Sequence, residues 1–249
     1  MNTSWKAPFL KMLPRAALTR TLGDRWRLPL VRFASSPFVY ALPGDTVVLG
    51  GCYQIDTIRR HLQAVGPQGR IIAIEANRES VRQLEEAMRS DPQLRGASNV
   101  TLVCKGVWER KGQTVFVTSD DDGRDYDRIN DQCLDGFEVG KGSISREDVI
   151  EVDAIDNILA ELAIDKVDYV VLTVNNSELA ALKGLRATID RNPQLRLYIH
   201  SVSPHPLDQV TAELVAAGFH MRVEPVNRGS RLHRIYAFDH TPAQRLKQA

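Results

Sequence analysis

Short apolar runs alternate with amphipathic segments from Thr46 almost to the end of the chain, and this alternation leaves few folds open. TVVLG, RIIAIEA, NVTLVCKGV, KVDYVVLTV and QLRLYIHSV each read as a buried strand, while TVFVT, from Thr114 to Thr118, reads as a further strand or a hairpin arm. Between the first two, Ile55, Ile58, His61, Leu62 and Val65 share one helical face, and RESVRQLEEAMRS places Val81, Leu84 and Met88 on another. EVDAIDNILAEL reads as a short strand or turn and then a helix. NNSELAALKGLRATI, with Asn176 or Ser177 suited to cap it, and PLDQVTAELVAAGF supply later helices. Apolar strands separated by helices make a largely parallel sheet covered on both faces. HMRVEPV and RLHRIYAFD, joined by the turn NRGS, must pair antiparallel. The expectation is an α/β fold: a doubly wound, mostly parallel seven-stranded sheet with a terminal antiparallel hairpin, Rossmann-like in layout.

With 249 residues, 43% of them hydrophobic, the chain suits one large globular domain with a small N-terminal addition. The division expected is residues 1–40 as a basic arm or helices, 41–241 as the main domain and 242–249 as a polar tail. The formal charge of +1 conceals an asymmetry: residues 1–40 carry seven basic side chains against Asp24 alone. Such an arm suits an anionic membrane surface, an acidic partner in a protein complex or a nucleic acid backbone, and equally a basic helix packed on its own domain. Aromatic-basic interleaving and zinc-finger spacing are absent, so specific nucleic acid recognition is not expected. No apolar run approaches the roughly eighteen residues of a transmembrane span. Cys52, Cys104 and Cys133 form no CxxC pair, which points to a reducing, cytoplasmic compartment, with the arm allowing peripheral attachment to a membrane. The stretch SDDDGRDYDRINDQ is acidic but lacks calcium-loop spacing, and no metal site is expected.

Ligands of doubly wound sheets sit beyond the carboxyl ends of the strands, where the strand order reverses. Leu49–Tyr53, Glu75–Asn77, Lys105–Val107 and Thr173–Glu178 are the stretches that converge there. The turn after the first strand contains Gly50 and Gly51 but continues CYQI instead of completing GxGxxG, which disfavours a dinucleotide. Glu75, at the end of the second strand, stands where an acid accepts hydrogen bonds from a ribose diol. A ribonucleoside without a pyrophosphate is therefore admissible.

The order of these motifs resembles the FkbM-type family of S-adenosylmethionine-dependent methyltransferases over roughly residues 40–240. Gly51 coincides with the central glycine of a VVDVGANxG-like first motif, with Leu49 in place of its acid, Tyr53 of its asparagine and Ile55 of its second glycine. IIAIEAN is similar to the family's FEPN-like strand end, and NVTLVCKGVWERKGQTVFV to the segment bordering the adenine. VDAIDNIL and DYVVLTVNNSELAALKGL resemble the family's VxxLDxL and DxxKIDVEGxExxxLKG. Asp168, Glu178, Leu182, Lys183 and Gly184 stay in register, whereas Val171, Thr173, Asn175 and Asn176 replace a lysine, an aspartate, a glutamate and a glycine.

The resemblance implies a class I methyltransferase-like fold, S-adenosyl-L-methionine as cofactor and O-methylation of a small-molecule or glycan hydroxyl. Cofactor positions would be Gly50, Gly51, Tyr53, Glu75, Ala76, Asn77, Lys105 and Gly106. Asn175 and Glu178 would orient the acceptor, against the alternative of a solvated strand end and an ordinary first-turn acid. His200, at the end of its strand, is the candidate base, against a structural histidine. Because the substitutions fall on polar positions, the alternative function is a catalytically inactive scaffold or interaction subunit, recruited through residues 1–40.

Overall fold

The computed structural model describes residues 40–119, 128–129, 144–202, 204–227 and 230–238. Residues 1–39 and 239–249, hence the basic arm and the polar tail, lie outside the described residues, as does most of the acidic stretch. Strand β1 (Thr46–Gly50), helix α1 (Ile55–Val65), β2 (Arg70–Glu75), α2 (Arg78–Ser90) and β3 (Val100–Cys104) form two successive strand-helix-strand units with parallel strands. After β4 (Gly106–Val107), β5 (Gly112–Ser119), β6 (Arg128–Ile129) and β7 (Ile144–Asp153) come α3 (Ile155–Glu161) and β8 (Tyr169–Leu172). Then follow α4 (Glu178–Lys183), α5 (Arg186–Arg191), β9 (Arg196–Val202), α6 (Pro204–Ala216), β10 (His220–Pro225) and β11 (His233–Phe238).

Seven strands make the main sheet in the order β10-β11-β9-β8-β1-β2-β3. β3, β2, β1, β8 and β9 are parallel; β11 enters antiparallel between β9 and β10. The seven strands, the parallel majority and the closing hairpin therefore stand as the sequence predicts.

Side chains alternate between two cores. Val48, Ile72, Ile74, Val170, Leu172 and Ile199 face one core, together with Ile158 of α3, Leu182 of α4 and Leu214 of α6. Val47, Leu49, Ile71, Ala73, Tyr169 and Val171 face the other, with Ile58 and Val65 of α1 and Leu84 of α2. Each such aliphatic side chain contributes on the order of 1.5–3 kcal/mol when fully buried, which is why strands with two covered faces read as unbroken apolar runs.

Three expectations change. NVTLVCKGV is two strands in different sheets: the chain leaves β3 at Cys104, and β4 pairs with β7 in a second sheet of order β4-β7-β5-β6. The strand before α3 is long, running back to Ile144, and pairs antiparallel with β5 over its whole length. NNSELAALKGLRATI is two short helices, broken at Gly184-Leu185, and Ser177 makes no side-chain capping bond. The break has a cause in packing. A Cβ on Gly184 would lie 2.1 Å from the Trp108 carbonyl oxygen and 3.1 Å from Ala154 Cα, so the helix end is pressed against backbone that cannot yield. Asp156 of α3 then caps the start of α5, accepting from the amides of Ala187 at 2.7 Å and Thr188 at 2.8 Å and from Thr188 Oγ1 at 2.6 Å.

Gly184→Ala is expected to destabilise the protein by about 1–3 kcal/mol in urea unfolding, whereas Lys183→Ala, at an exposed neighbour, should change it by less than about 0.5 kcal/mol. Equal effects would show that the close approach at Gly184 is not a constraint.

Candidate functional site

The strand order reverses between β1 and β8, which places the site at their carboxyl ends. Gly51 turns the chain there with φ of 78°, a left-handed conformation that glycine adopts without strain. A Cβ at this position would also sit 2.4 Å from the Thr173 carbonyl oxygen. The turn is tied on both sides. The amides of Gly51 and Cys52 donate to the Ile74 carbonyl at 2.9 and 3.2 Å. The Thr173 amide donates to the Gly50 carbonyl at 2.8 Å, and its hydroxyl lies 2.6 Å from the Gly51 carbonyl oxygen and 3.2 Å from that of Gly50. Gly50 is itself close-packed, with Leu172 Cδ2 at 3.0 Å and Val107 Cγ2 at 3.4 Å from a Cβ built on it.

Glu75 ends β2 next to this turn, 8% exposed, with Oε1 accepting from the Asn77 amide at 2.9 Å. Burial first, and the Glu75 charge second, push the Cys52 thiol up to about 12, so this cysteine is a core side chain and not a nucleophile. Asn77 caps α2, its Oδ1 accepting from the amides of Glu79 at 2.9 Å and Ser80 at 3.3 Å. Ala76 packs against the small core of the second sheet formed by Phe116, Ile150 and Val152. Tyr53 is 43% exposed at the rim, and its hydroxyl accepts from Gln54 Nε2 at 3.1 Å.

Lys105 and Gly106 follow the chain into the second sheet. The Lys105 ammonium donates to Asp153 at 3.0 Å and to Glu161 at 2.8 Å, and the Gly106 backbone lies in β4 opposite Val152. Burial works to raise the Asp153 carboxyl, but hydrogen bonds from Asn157, Lys105 and the Ala154 amide outweigh it and hold the group below the usual carboxylate range.

Asn176 follows β8 with φ of 62°, in the conformation that a glycine would adopt most freely and asparagine tolerates better than most residues. Asn175 is exposed. Glu178 is 1% exposed; its Oε1 accepts from the Asn176 amide at 3.2 Å, and its buried Oε2 has no hydrogen-bond partner. Burial pushes this carboxyl up to about 8, which keeps it protonated at neutral pH.

His200 stands one residue beyond Ile199, which pairs with Leu172, and so lies level with Thr173 at the carboxyl edge of the sheet. Its Nδ1 is 2.7 Å from Tyr198 Oη. Burial, and then the charge of Arg234, lower its pKa, so the imidazole is neutral at pH 7. Tyr198 was not among the residues singled out from sequence. Its spacing of two from His200 within one strand, which puts both on one face, is the signal that identifies it.

Among the described residues no cluster of histidine, cysteine, aspartate or glutamate could hold a metal, and no helix is long and apolar enough to cross a membrane. A cleft of about 280 Å³ lies against α4, α5 and α6, lined by Leu182, Lys183, Arg186, Ile189, Glu213 and Leu214. None of these is one of the cofactor positions implied by the resemblance.

No protein-family model matches the chain, and no curated protein does. Among solved structures, it is similar to methyltransferase FkbM from Methylobacillus flagellatus KT, with a TM-score of 0.55 and 18% identity over 80% of this chain. This chain spans 45% of that protein's length. It is also similar to a protein proposed to be an rRNA methylase from Clostridium thermocellum, with a TM-score of 0.50 and 7% identity, over 86% of this chain and 97% of that one. The likeness is one of fold: the doubly wound, mostly parallel sheet of this chain is shared with these methyltransferase structures.

The raised Glu178 carboxyl has a consequence for stability. From the ordinary carboxyl range up to about pH 8 the unfolded chain has released this proton and the folded chain has not. The favourable contribution, complete below the unfolded pKa, is therefore lost as pH rises, by at most about 1.4 kcal/mol per pH unit, and the loss levels off above about pH 8. Urea unfolding at about pH 5.5 and about pH 7.5 should show wild type losing stability relative to Glu178→Gln. Parallel changes in the two proteins would contradict the assignment.

Proposed function

We propose that the chain is an S-adenosylmethionine-dependent methyltransferase of the FkbM type that O-methylates a hydroxyl group of a small molecule or glycan. The observation that carries this reading is the buried Glu75 carboxylate at the carboxyl end of β2, beside the Gly51 turn at the strand-order reversal, in a sheet whose fold is similar to that of the FkbM methyltransferase structure. A carboxylate in that place fits a ribose diol, and the partly buried Ala76 beside it offers apolar surface. When bound, the cofactor supplies an electrophilic sulfonium methyl group.

The chain's own residues supply position and a proton acceptor. Glu75 accepts the ribose hydroxyls and the Gly51 turn sets the depth of the pocket floor. Neutral His200 takes the acceptor proton at Nε2 when its Nδ1–H donates to Tyr198 Oη, which fixes the tautomer a base requires. Glu178, being protonated, is no base at neutral pH; closed off from solvent, it acts through the Asn176 amide it holds, while exposed Asn175 orients the acceptor. Alignment of the reacting atoms, more than acid-base chemistry, carries the rate of such a transfer.

A second reading, a noncatalytic scaffold, is favoured by one specific observation. The Thr173 hydroxyl, where the resemblance has an aspartate, is turned inward onto the Gly50 and Gly51 carbonyls, and Leu49 is core. In either reading the protein is placed in the cytoplasm, with residues 1–40 as the arm that meets a protein complex or an anionic membrane surface, 41–241 as the methyltransferase-like domain and 242–249 as a polar tail.

Isothermal titration with S-adenosylhomocysteine separates the two. The methyltransferase reading predicts micromolar or tighter binding that Glu75→Ala weakens tenfold or more, about 1.4 kcal/mol. No binding at high ligand concentration would overturn it in favour of the scaffold.

A further inference from the structure

The face of β9 and β11 that carries His200 also holds a cation, Arg234, that has no ion-pair partner among the described residues. Arg234 of β11 lies directly opposite Glu224 of β10, and between His233 and Ile235, whose partners on β9 are Val202 and Ile199. The register is irregular there, so Arg234 sits at a bulge beside His200. Tyr236, two residues from Arg234, pairs with Tyr198, two residues from His200, so strand alternation puts Arg234, Tyr198 and His200 on one face. Its Nε is buried and has no hydrogen-bond partner. Glu224, the acid nearest along the ladder, is ion-paired with Arg222, an exposed arginine two residues away on the same strand. A buried guanidinium nitrogen is costly to leave without an acceptor, and native proteins satisfy such groups with protein atoms, ordered water or a ligand.

The surroundings define the shape of what fits. Tyr198 and Tyr236 stack with ring centroids 5.1 Å apart, and the Tyr198 ring lies 5.9 Å from that of His200, so the floor beside Arg234 is aromatic. Tyr198 Oη occupies His200 Nδ1, leaving Nε2 as the ring nitrogen that can meet an incoming hydroxyl. Arg234 and His200 stand on adjacent strands, hence about 5 Å apart at the backbone, and His200 is two strands from β1, about 10 Å from the glycine turn.

We infer that Arg234 is the anion-binding residue of an acceptor site, and that the acceptor is a hydroxylated oxyanion, a carboxylate or phosphate ester, with its hydroxyl at His200 and its anionic group on the guanidinium. The planar guanidinium suits either oxyanion, because both present two oxygens to its paired N–H groups. The identification of the hydroxyl as a methyl acceptor rests on the function proposed above; the anion site does not.

The test needs no cofactor. His200 is followed by its ring proton in NMR while the full-length protein is titrated with sodium phosphate and, separately, sodium acetate, with chloride holding ionic strength constant. Saturable binding is expected for at least one anion, with the His200 titration midpoint rising as the Arg234 charge is neutralised. Saturation by acetate alone assigns a carboxylate acceptor and by phosphate alone a phosphate ester. Arg234→Gln should raise the midpoint without added anion and weaken the anion at least tenfold, with Arg234→Met as a second variant should the first fold poorly. Arg82→Gln, at an exposed arginine of α2, should retain the response. Linear, non-saturating drift with both anions, or an unchanged response in the Arg234 variants, would overturn the inference. Either result leaves nucleotide binding at Glu75 to be read separately, so failure of the anion site and failure of the methyltransferase reading are distinguishable.

Discussion

Thr173 joins the two halves of the sheet at the point on which every proposed contact depends. Its amide donates to the Gly50 carbonyl, its hydroxyl reaches those of Gly50 and Gly51, and its own carbonyl lies so close to Gly51 that no side chain fits between them. The amides of the same turn are drawn across to Ile74 on the opposite side. The turn is consequently held from β2 and β8 at once, and the Glu75 carboxylate next to Ile74 is placed relative to it by backbone hydrogen bonds instead of by flexible side chains. Pre-organisation of this kind lowers the ordering cost of binding.

The motif positions that persist and those that differ have separate physical roles. Asp168 accepts from the Thr46 amide at 2.9 Å and so pairs the starts of β1 and β8, Leu182 is core, and Gly184 admits the Trp108 carbonyl. These residues hold the framework, and a change at any of them would be felt by the whole domain. At the carboxyl edge the replacements are absorbed locally. Leu49 and Val171 join the core beneath α1, Thr173 turns inward, and Asn176 keeps the left-handed conformation. Where the resemblance has charged residues on β1 and β8, this edge carries uncharged ones, while Glu75 on β2 and Arg234 on β11 supply ionisable groups.

The strand and helix order was legible because burial on both faces leaves a strong apolar signal: RIIAIE and RESVRQLEEAMRS become strand β2 and helix α2 at the residues read from the sequence. What was not legible depended on contacts distant along the chain. Nothing local to NVTLVCKGV shows that Lys105 leaves the main sheet, because its partners Asp153 and Glu161 lie 48 and 56 residues away. The break at Gly184 likewise depends on Trp108, in a loop of a different sheet. At the site, the glycine turn and Glu75 were identifiable by their order, yet the capping role of Asn77 and the burial of Glu178 emerged only from the fold. Arg234 gives no signal in sequence, since an arginine in an edge hairpin is ordinary until its neighbours are known.

The central claim is that a ribonucleoside ligand meets the carboxyl edge of β1 and β2, and hydrogen–deuterium exchange with and without S-adenosylhomocysteine tests it where it is made. The account predicts slower exchange over residues 52–55 and 76–79, with residues 182–189 beside the α4–α6 cleft unchanged. Slowing confined to that cleft, or an exchange pattern the ligand does not alter, would contradict it.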